Sequence, residues 1–273
     1  MQFFPGANAL PILPDPDTAH SPVAGGAWDE NRARQIGRHS HKRGQIVSVI
    51  KGVITVSTRA GVWVVPPNRA VWVPPNIEHW ASYSRAVALR TLYTDKTASV
   101  RFPSFCVGLY LDTLSRELLN AAVHFDWNLD PNHSDMRLAR LLIERMPLLQ
   151  QPALRVPDGK DPRVIRIMQR LREAPDENRT LAQMSKEAGA SERTMGRLFS
   201  RDTGMTFSDW RRQYRLMLAL ERLGGGMPVT AVAHSLGYET AGNFSTMFRS
   251  FFHRTPHEFF QPPKPTRRRD ILV

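Results

Sequence analysis

The sequence predicts an α+β protein of more than one domain, in which an amino-terminal β-barrel or jelly roll with flanking helices precedes an all-α domain of two helix-turn-helix units. Three observations predict it. Short β-rich runs crowd into residues 28–93, helical periodicity replaces alternation from Gly108 onward, and two matched sets of helix start and stop signals lie between Thr180 and Phe260. At 273 residues the chain is roughly twice a typical domain, and 41% hydrophobic content suffices for two cores. The divisions that follow are a Pro-rich start (1–27), a β-barrel (28–105), a helical segment (106–150), a linker (151–161), the double helix-turn-helix domain (162–261) and a basic tail (262–273).

In chain order, the first 27 residues carry Pro5, Pro11, Pro14, Pro16 and Pro22 with little periodicity, which reads as extended or disordered chain. Strand-like runs then follow at 45–50, 52–59, 61–65, 70–73 and 85–93, with Gly52 and Gly61 as turn residues between them. The alternation of Val53, Thr55 and Ser57 with Ile54 and Val56 suits a half-buried sheet, and several closely spaced strands argue for a small barrel or double sheet. Trp63, Trp72, Trp80 and Tyr83 either line the barrel mouth or pack within it. Cys106 is the single cysteine and cannot form an internal disulfide, which fits a reducing compartment; its neighbours Phe105 and Val107 read as the surroundings of a buried thiol, not a nucleophile.

Histidines punctuate the barrel region. His39-Ser40-His41, then Gln45 and Gly52, and later Pro74-Pro75-Asn76 with His79, resemble the two motifs of cupin domains, H-x-H-x(3)-E-x(6)-G and P-x-G-x(2)-H. The resemblance implies that His39, His41, Gln45 and His79 point into the barrel, where metal-binding cupins hold a divalent ion. Two imidazoles at i and i+2 of a strand share a face, and a third from another strand completes a facial set. Gln45 stands where the family has Glu and Asn76 where it has Gly, so one charged ligand is lost. No cofactor is therefore assigned. The expectation is a vestigial site whose histidines contact an effector or the core, and which binds a divalent metal weakly if at all.

Residues 115–123 and 134–150 read as amphipathic helices, the second with Leu138, Leu141, Leu142, Arg145 and Leu149 along a broad stripe. That stripe packs on the barrel or forms a homodimer contact. Pro152, Pro157, Gly159 and Pro162 mark the linker.

In the carboxy-terminal domain, Thr180 and Gln183 form a capping box at the start of a helix whose apolar face is Leu181, Met184 and Ala188, and Gly189 ends it. Ser191 caps a second helix with Met195, Leu198 and Phe199 inward and Arg193 and Arg197 outward, one turn apart. This is the arrangement that lays a recognition helix in the major groove, where an Arg fork bonds guanine O6 and N7 together. A continuous helix over 206–223 follows, with Trp210, Tyr214, Met217 and Leu220 inward. Its ~27 Å suits a spacer holding two recognition helices near the ~34 Å between successive major-groove faces. After Gly224-Gly225-Gly226 the pattern repeats. Val229, Val232 and Leu236 precede Gly237, and Thr240 caps a helix with Phe244, Met247, Phe248 and Phe251 inward, leaving Gly242, Asn243, Ser245, Thr246 and Arg249 for the DNA side. Thr255-Pro256-His257-Glu258 opens a last helix with a second capping box.

The run from Gly237 to Phe259, together with R-L-F at 197–199 and D-T-G-M-T at 202–206, resembles the DNA-binding domain of AraC-type transcriptional regulators over 161–261. His253 replaces the usual Gly before Thr-Pro, and Ser250 a usual basic residue. The resemblance implies base contacts from Arg193, Gly196 and Arg197 in the first unit, and from Ala241, Gly242, Asn243 and Thr246 in the second. Gly196 and Ala241 offer no side-chain donors, so the first unit is expected to carry more of the readout. Arg201, Arg211, Arg215 and Arg249 are candidates for phosphate contacts or internal ion pairs.

Charge agrees. The formal net charge is +12, with about +5 over residues 1–160 and about +8 over 161–269, and a positive domain gains sequence-independent phosphate affinity by counterion release. No run reaches the ~20 apolar residues of a membrane span, and the amino terminus lacks a signal pattern, so a cytoplasmic protein without a membrane partner is expected. The expected function is sequence-specific binding of double-stranded promoter DNA, biased by a small-molecule effector in the barrel, with RNA polymerase as a further partner if it activates. The likeness to cupin-bearing regulators of neighbouring transporter genes extends this by analogy to a transporter target. The rival class is a metal-dependent cupin enzyme with a DNA-binding tail. It needs a retained metal and a base, and Glu78 is the only carboxylate next to the histidines, so no enzymatic activity is expected.

Overall fold

The computed structural model describes residues 15–83, 85–130, 132–151 and 155–260. Its strands are β1 (Val23–Glu30), β2 (Arg34–His39), β3 (Gly44–Lys51), β4 (Ile54–Thr58), β5 (Gly61–Val65), β6 (Arg69–Val73), β7 (His79–Tyr83), β8 (Val87–Thr94), β9 (Val107–Tyr110), β10 (Gln150–Gln151) and β11 (Arg155–Val156). They form two antiparallel sheets, ordered β1-β8-β3-β6-β9-β10 and β11-β5-β4-β7-β2. Between the sheets lies an apolar core that includes Val47 and Val49 of β3, Ile54 and Val56 of β4, Trp63 and Val65 of β5, Val71 and Val73 of β6, and Val87 and Leu89 of β8. The residues alternating with these on the first sheet, Ile46, Ala70, Trp72 and Leu92, bury themselves on its other face. That face is covered by helices α1 (Lys96–Ser99), α2 (Thr113–Ala122) and α3 (Ser134–Arg145). A sheet buried on both faces explains why β3 and β6 are nearly continuous apolar runs.

Three segments differ from the sequence expectation. Of the stretch 1–27, residues 1–14 lie outside the described residues, as does the tail 262–273, but β1 begins at Val23. Its Gly25 is a glycine because the end of α2 rests on it: a Cβ there would lie 2.2 Å from Val123 Cα. Residues 107–110, expected to open a helical segment, form β9 beside β6, which places Leu109 in the core. The expected linker 151–161 carries β11, which extends the second sheet at β5 and buries Val156. Edge pairing explains both short strands, since each satisfies backbone groups that a free linker would leave to solvent.

The carboxy-terminal half contains α4 (Pro162–Glu173), α5 (Leu181–Glu187), α6 (Glu192–Thr203), α7 (Phe207–Gly224), α8 (Val229–Ser235), α9 (Ala241–Phe252) and α10 (Pro256–Phe259). Both capping boxes form, at Thr180 with Gln183 and at Thr255 with Glu258. Trp210, Leu216, Ala219 and Leu220 of α7 sit in the centre of one core with Phe199, Phe244 and Phe248. The same core takes in Val53, Val64 and Val156 of the sensor, so the spacer helix is also the interdomain contact. Thr55 on β4 donates a hydrogen bond to the Glu221 carboxylate of α7, Gln213 Nε2 donates to the Arg155 carbonyl (2.6 Å), and Trp210 Nε1 donates to the Pro157 carbonyl (2.8 Å).

Candidate nucleic-acid interface and sensor site

The first candidate recognition helix is α6. Ser191 accepts from the Thr194 amide (3.2 Å) and Gly204 closes the helix in the left-handed region at φ 71°, so both ends are fixed locally. Met195, Leu198 and Phe199 anchor its inner face. Arg193 and Arg197 are exposed, and among the described residues neither guanidinium has an acceptor. Gly196 comes near only Leu181 of α5, at 3.9 Å from an added Cβ.

The second is α9, capped by Thr240 Oγ1 accepting from the Asn243 amide (3.1 Å) and anchored by buried Phe244, Phe248 and Phe252. Gly242, Asn243, Thr246 and Arg249 are exposed. Phe251, read as inward, is 38% exposed, while Phe252 faces the core and packs on Phe248 and Phe259. His253 ends the helix at φ 57°, the conformation glycine adopts freely, and a Cβ there costs on the order of 1 kcal/mol. Gly237 cannot be replaced so readily: its φ is 76° and a Cβ would lie 2.5 Å from the Asp176 carbonyl oxygen.

The four phosphate candidates separate. Arg249 is exposed. Arg201 is 60% exposed at its side chain but paired with Asp202 at 2.9 Å, whose other oxygen accepts from the Lys160 and Asp161 amides. Arg211 donates to the Arg179 carbonyl (2.8 Å) and lies over Phe207. Arg215 is only 8% exposed. Its guanidinium is buried and donates to the Pro175 and Glu177 carbonyls and to Asn178 Oδ1, each at 2.9 Å. It holds the loop after α4 in place and is withdrawn as a phosphate contact.

In the sensor, the structure brings His39, His41 and His79 together, with one ligand atom from each within 4.8 Å of the others. His39 ends β2, His41 lies in the following loop and His79 opens β7, where His39 and His79 pair across a bulge. Each Nδ1 donates to a backbone carbonyl: His39 to Gly37 (2.9 Å), His41 to Arg43 (2.5 Å) and His79 to Ile77 (2.8 Å). Three Nε2 lone pairs are thereby left for the centre of the cluster. Burial lowers the pKa of His41 and takes that of His79 down to about 4, so both are neutral at pH 7. Buried His79 Nε2 has no partner.

Gln45 on β3 completes the set. The Thr91 hydroxyl donates to the Ile46 carbonyl (3.1 Å), so it can only accept from the Gln45 amide nitrogen (2.9 Å). Tyr93 Oη lies 3.2 Å from the same nitrogen. Gln45 Oε1 is thus turned toward His41 Nε2 at 3.3 Å, two lone pairs facing each other. A shared cation relieves that contact, and three imidazoles with an amide oxygen suit a divalent ion of borderline softness better than a hard one. The donors fit a metal, and none of them is charged.

The aromatic residues named with this site divide. Trp63 and Tyr83 pack inside the barrel, Trp72 stacks on Phe102 on the helical side, and Trp80 carries the Arg38 guanidinium 4.1 Å from its ring centroid. Cys106 is part-buried, with burial pushing its thiol up to about 11, while Phe105 is exposed.

Comparison with known proteins agrees with both halves. Residues 22–104 match the AraC-like ligand binding domain and residues 184–262 a helix-turn-helix domain. The chain is 31% identical over 221 residues to the HTH-type transcriptional regulator NimR of Escherichia coli K12, covering 81% of each protein. It is 36% identical over 77 residues to the regulatory protein SoxS of the same organism, covering 28% of this chain and 72% of SoxS. With the HTH-type transcriptional regulator RipA of Corynebacterium glutamicum it shares 30% identity over 123 residues, 45% of this chain and 35% of RipA. The chain belongs to the AraC family of transcriptional regulators, with an AraC-like ligand-binding domain before its helix-turn-helix domain.

Proposed function

We propose that α6 and α9 enter successive major grooves of promoter DNA, with Arg193 and Arg197 reading bases in the first and Gly242, Asn243 and Thr246 in the second. The observation that carries this reading is the unpaired, exposed Arg193 and Arg197 on a helix fixed at both ends. Most other arginines of this domain with a described role are held by carboxylates or carbonyls, so these two are available to guanine. Arg249 supplies a phosphate contact beside them, and Arg201 joins it only by giving up Asp202. The protein acts in the cytoplasm, and RNA polymerase is a partner if regulation is positive. The test is binding of an Arg197→Ala protein to the preferred duplex and to a scrambled one, with loss of discrimination expected.

The sensor takes a small effector at the histidine cluster, with a divalent ion as a weakly held companion. Metal-stripped protein titrated with Zn²⁺ or Ni²⁺ against a chelator is expected to bind one ion per chain, and His41→Ala or His79→Ala to cost at least about tenfold. Gln45→Glu should tighten binding by adding the missing charge. Tight wild-type binding that Gln45→Glu leaves unchanged would show that neutrality does not limit the site.

A homodimer forms through the outer face of α3. Leu142 is buried against the barrel side, whereas Leu138 and Leu141 are 38% and 42% exposed, so the second pair replaces the expected Leu138 and Leu142. Sedimentation of a Leu138→Glu, Leu141→Glu protein should give monomers; a folded dimer would remove the assignment.

A further inference from the structure

Two reading helices serve one DNA site only if their mutual placement is fixed, and the covalent path between the two units does not fix it. That path runs from the end of α7 through Gly224-Gly225-Gly226 to α8, and Gly226 adopts φ 79°. Three consecutive glycines put no side chain in the way of other backbone angles. The shared apolar core holds α8 and α9 against α7, but apolar packing is non-directional and does not by itself set an angle. Hydrogen bonds at the turn from α8 to α9 supply the direction.

That turn is held from two sides. Arg222 of α7 donates through Nη1 to the Ser235 carbonyl (2.8 Å) and hydroxyl (2.6 Å) at the end of α8. From the first unit, the loop joining α4 to α5 reaches across, where Asn178 Nδ2 donates to the Gly237 carbonyl (3.0 Å). Asn178 Oδ1 meanwhile accepts from Arg215 of α7 (2.9 Å), so the amide cannot turn over without setting donor against donor and acceptor against acceptor. Gly237 lies against the same loop, since a Cβ on it would come within 2.5 Å of the Asp176 carbonyl oxygen. One side chain thus ties the first unit, the spacer helix and the second unit together.

Its place in the chain gives the tie leverage. Asn178 stands two residues before Thr180, the cap of α5, and Gly237 three residues before Thr240, the cap of α9. Tyr238 packs edge-on against Phe244 of α9, with 5.5 Å between ring centroids. A shift at Gly237 therefore moves the first turn of α9, which carries Gly242 and Asn243.

We propose that Asn178 is a positioning residue for DNA recognition: by bridging Arg215 and the Gly237 carbonyl it sets the angle of α9 relative to α6, and with it the spacing of the two DNA segments the chain accepts. The inference rests on the reading of α6 and α9 as the two groove-entering helices.

The test uses the full-length protein and the duplex it selects from a random pool, with one base pair inserted between the two contacted segments or with either segment scrambled. One inserted pair turns the second segment by ~34° about the duplex axis. The wild type is expected to lose roughly 5- to 150-fold on insertion, the range for one mismatched base pair. Asn178→Asp keeps the bond to Arg215 but sets a carboxylate oxygen against the Gly237 carbonyl. It is expected to melt no earlier than the wild type and yet to show an insertion penalty below about threefold. Asn178→Ala should shrink the penalty likewise and bind the selected duplex about 2- to 10-fold more weakly, the worth of a lost hydrogen bond. Each penalty is a ratio within one protein, so a partly unfolded variant still reports it. A role in stability alone predicts a well-folded Asn178→Asp protein with the wild-type spacing preference. Penalties as large in both variants as in the wild type, or a wild type indifferent to the insertion, overturn the proposal and leave the two-helix reading standing. A wild type that ignores the scrambling of one segment overturns that reading and the proposal with it.

Discussion

Arg197→Ala is expected to lower affinity for the preferred duplex by about 5- to 150-fold, the ~1–3 kcal/mol of a bidentate Arg-guanine pair, and to flatten preference at one base position. The fold should be unaffected, since Arg197 is exposed on α6 and its guanidinium has no acceptor among the described residues. Arg249→Ala should behave differently, weakening specific and scrambled DNA alike and reducing the salt slope by roughly one unit. Binding of both proteins to both duplexes over a salt series separates the roles. Unchanged discrimination by Arg197→Ala would remove it as a base reader.

Arg215→Ala is expected to act on stability instead. Its guanidinium donates to two backbone carbonyls and one side-chain amide in a buried setting, and truncation leaves those acceptors without partners. At roughly 1–3 kcal/mol for each unsatisfied group, a loss of about 2–5 kcal/mol is expected by chemical denaturation, large beside a typical domain's total. A variant of native stability that binds DNA more weakly with a reduced salt slope would restore Arg215 to the phosphate set.

The contrast between Arg197 and Arg215 shows how far the sequence could be read. Helical spacing places a residue on a face, and for Arg193 and Arg197 the face was enough. For Arg215 the deciding fact is a loop at 175–178 that folds over it from 40 residues away, which no local pattern carries. Caps were legible for the same reason that Arg197 was: Thr180, Ser191, Thr240 and Thr255 each bond an amide within three residues, as does Thr206, which the helical pattern places inside its helix. Strands without local signal were missed. β1 opens Val-Ala-Gly-Gly with little strand signal, β2 is largely exposed and polar, and β7 is five residues long with His79 in a buried place. In the sensor site, the histidine spacing located the cluster, but the orientation of Gln45 depends on Thr91 and Tyr93 of the neighbouring strand β8, 46 and 48 positions along the chain, and only the folded sheet reveals it. The interdomain contact of Thr55 with Glu221 spans 166 positions and was likewise invisible.

Recognition of a DNA sequence by two helices of one domain can be measured on the whole chain. Its most direct test selects the duplex bound best by the full-length protein from a random pool and compares its affinity with that for a scrambled duplex of the same composition, over a salt series. A preference of about 10³ or more is expected at physiological salt, with both affinities falling as salt rises. A ratio near one at every salt concentration would contradict it and leave a nonspecific binder in its place.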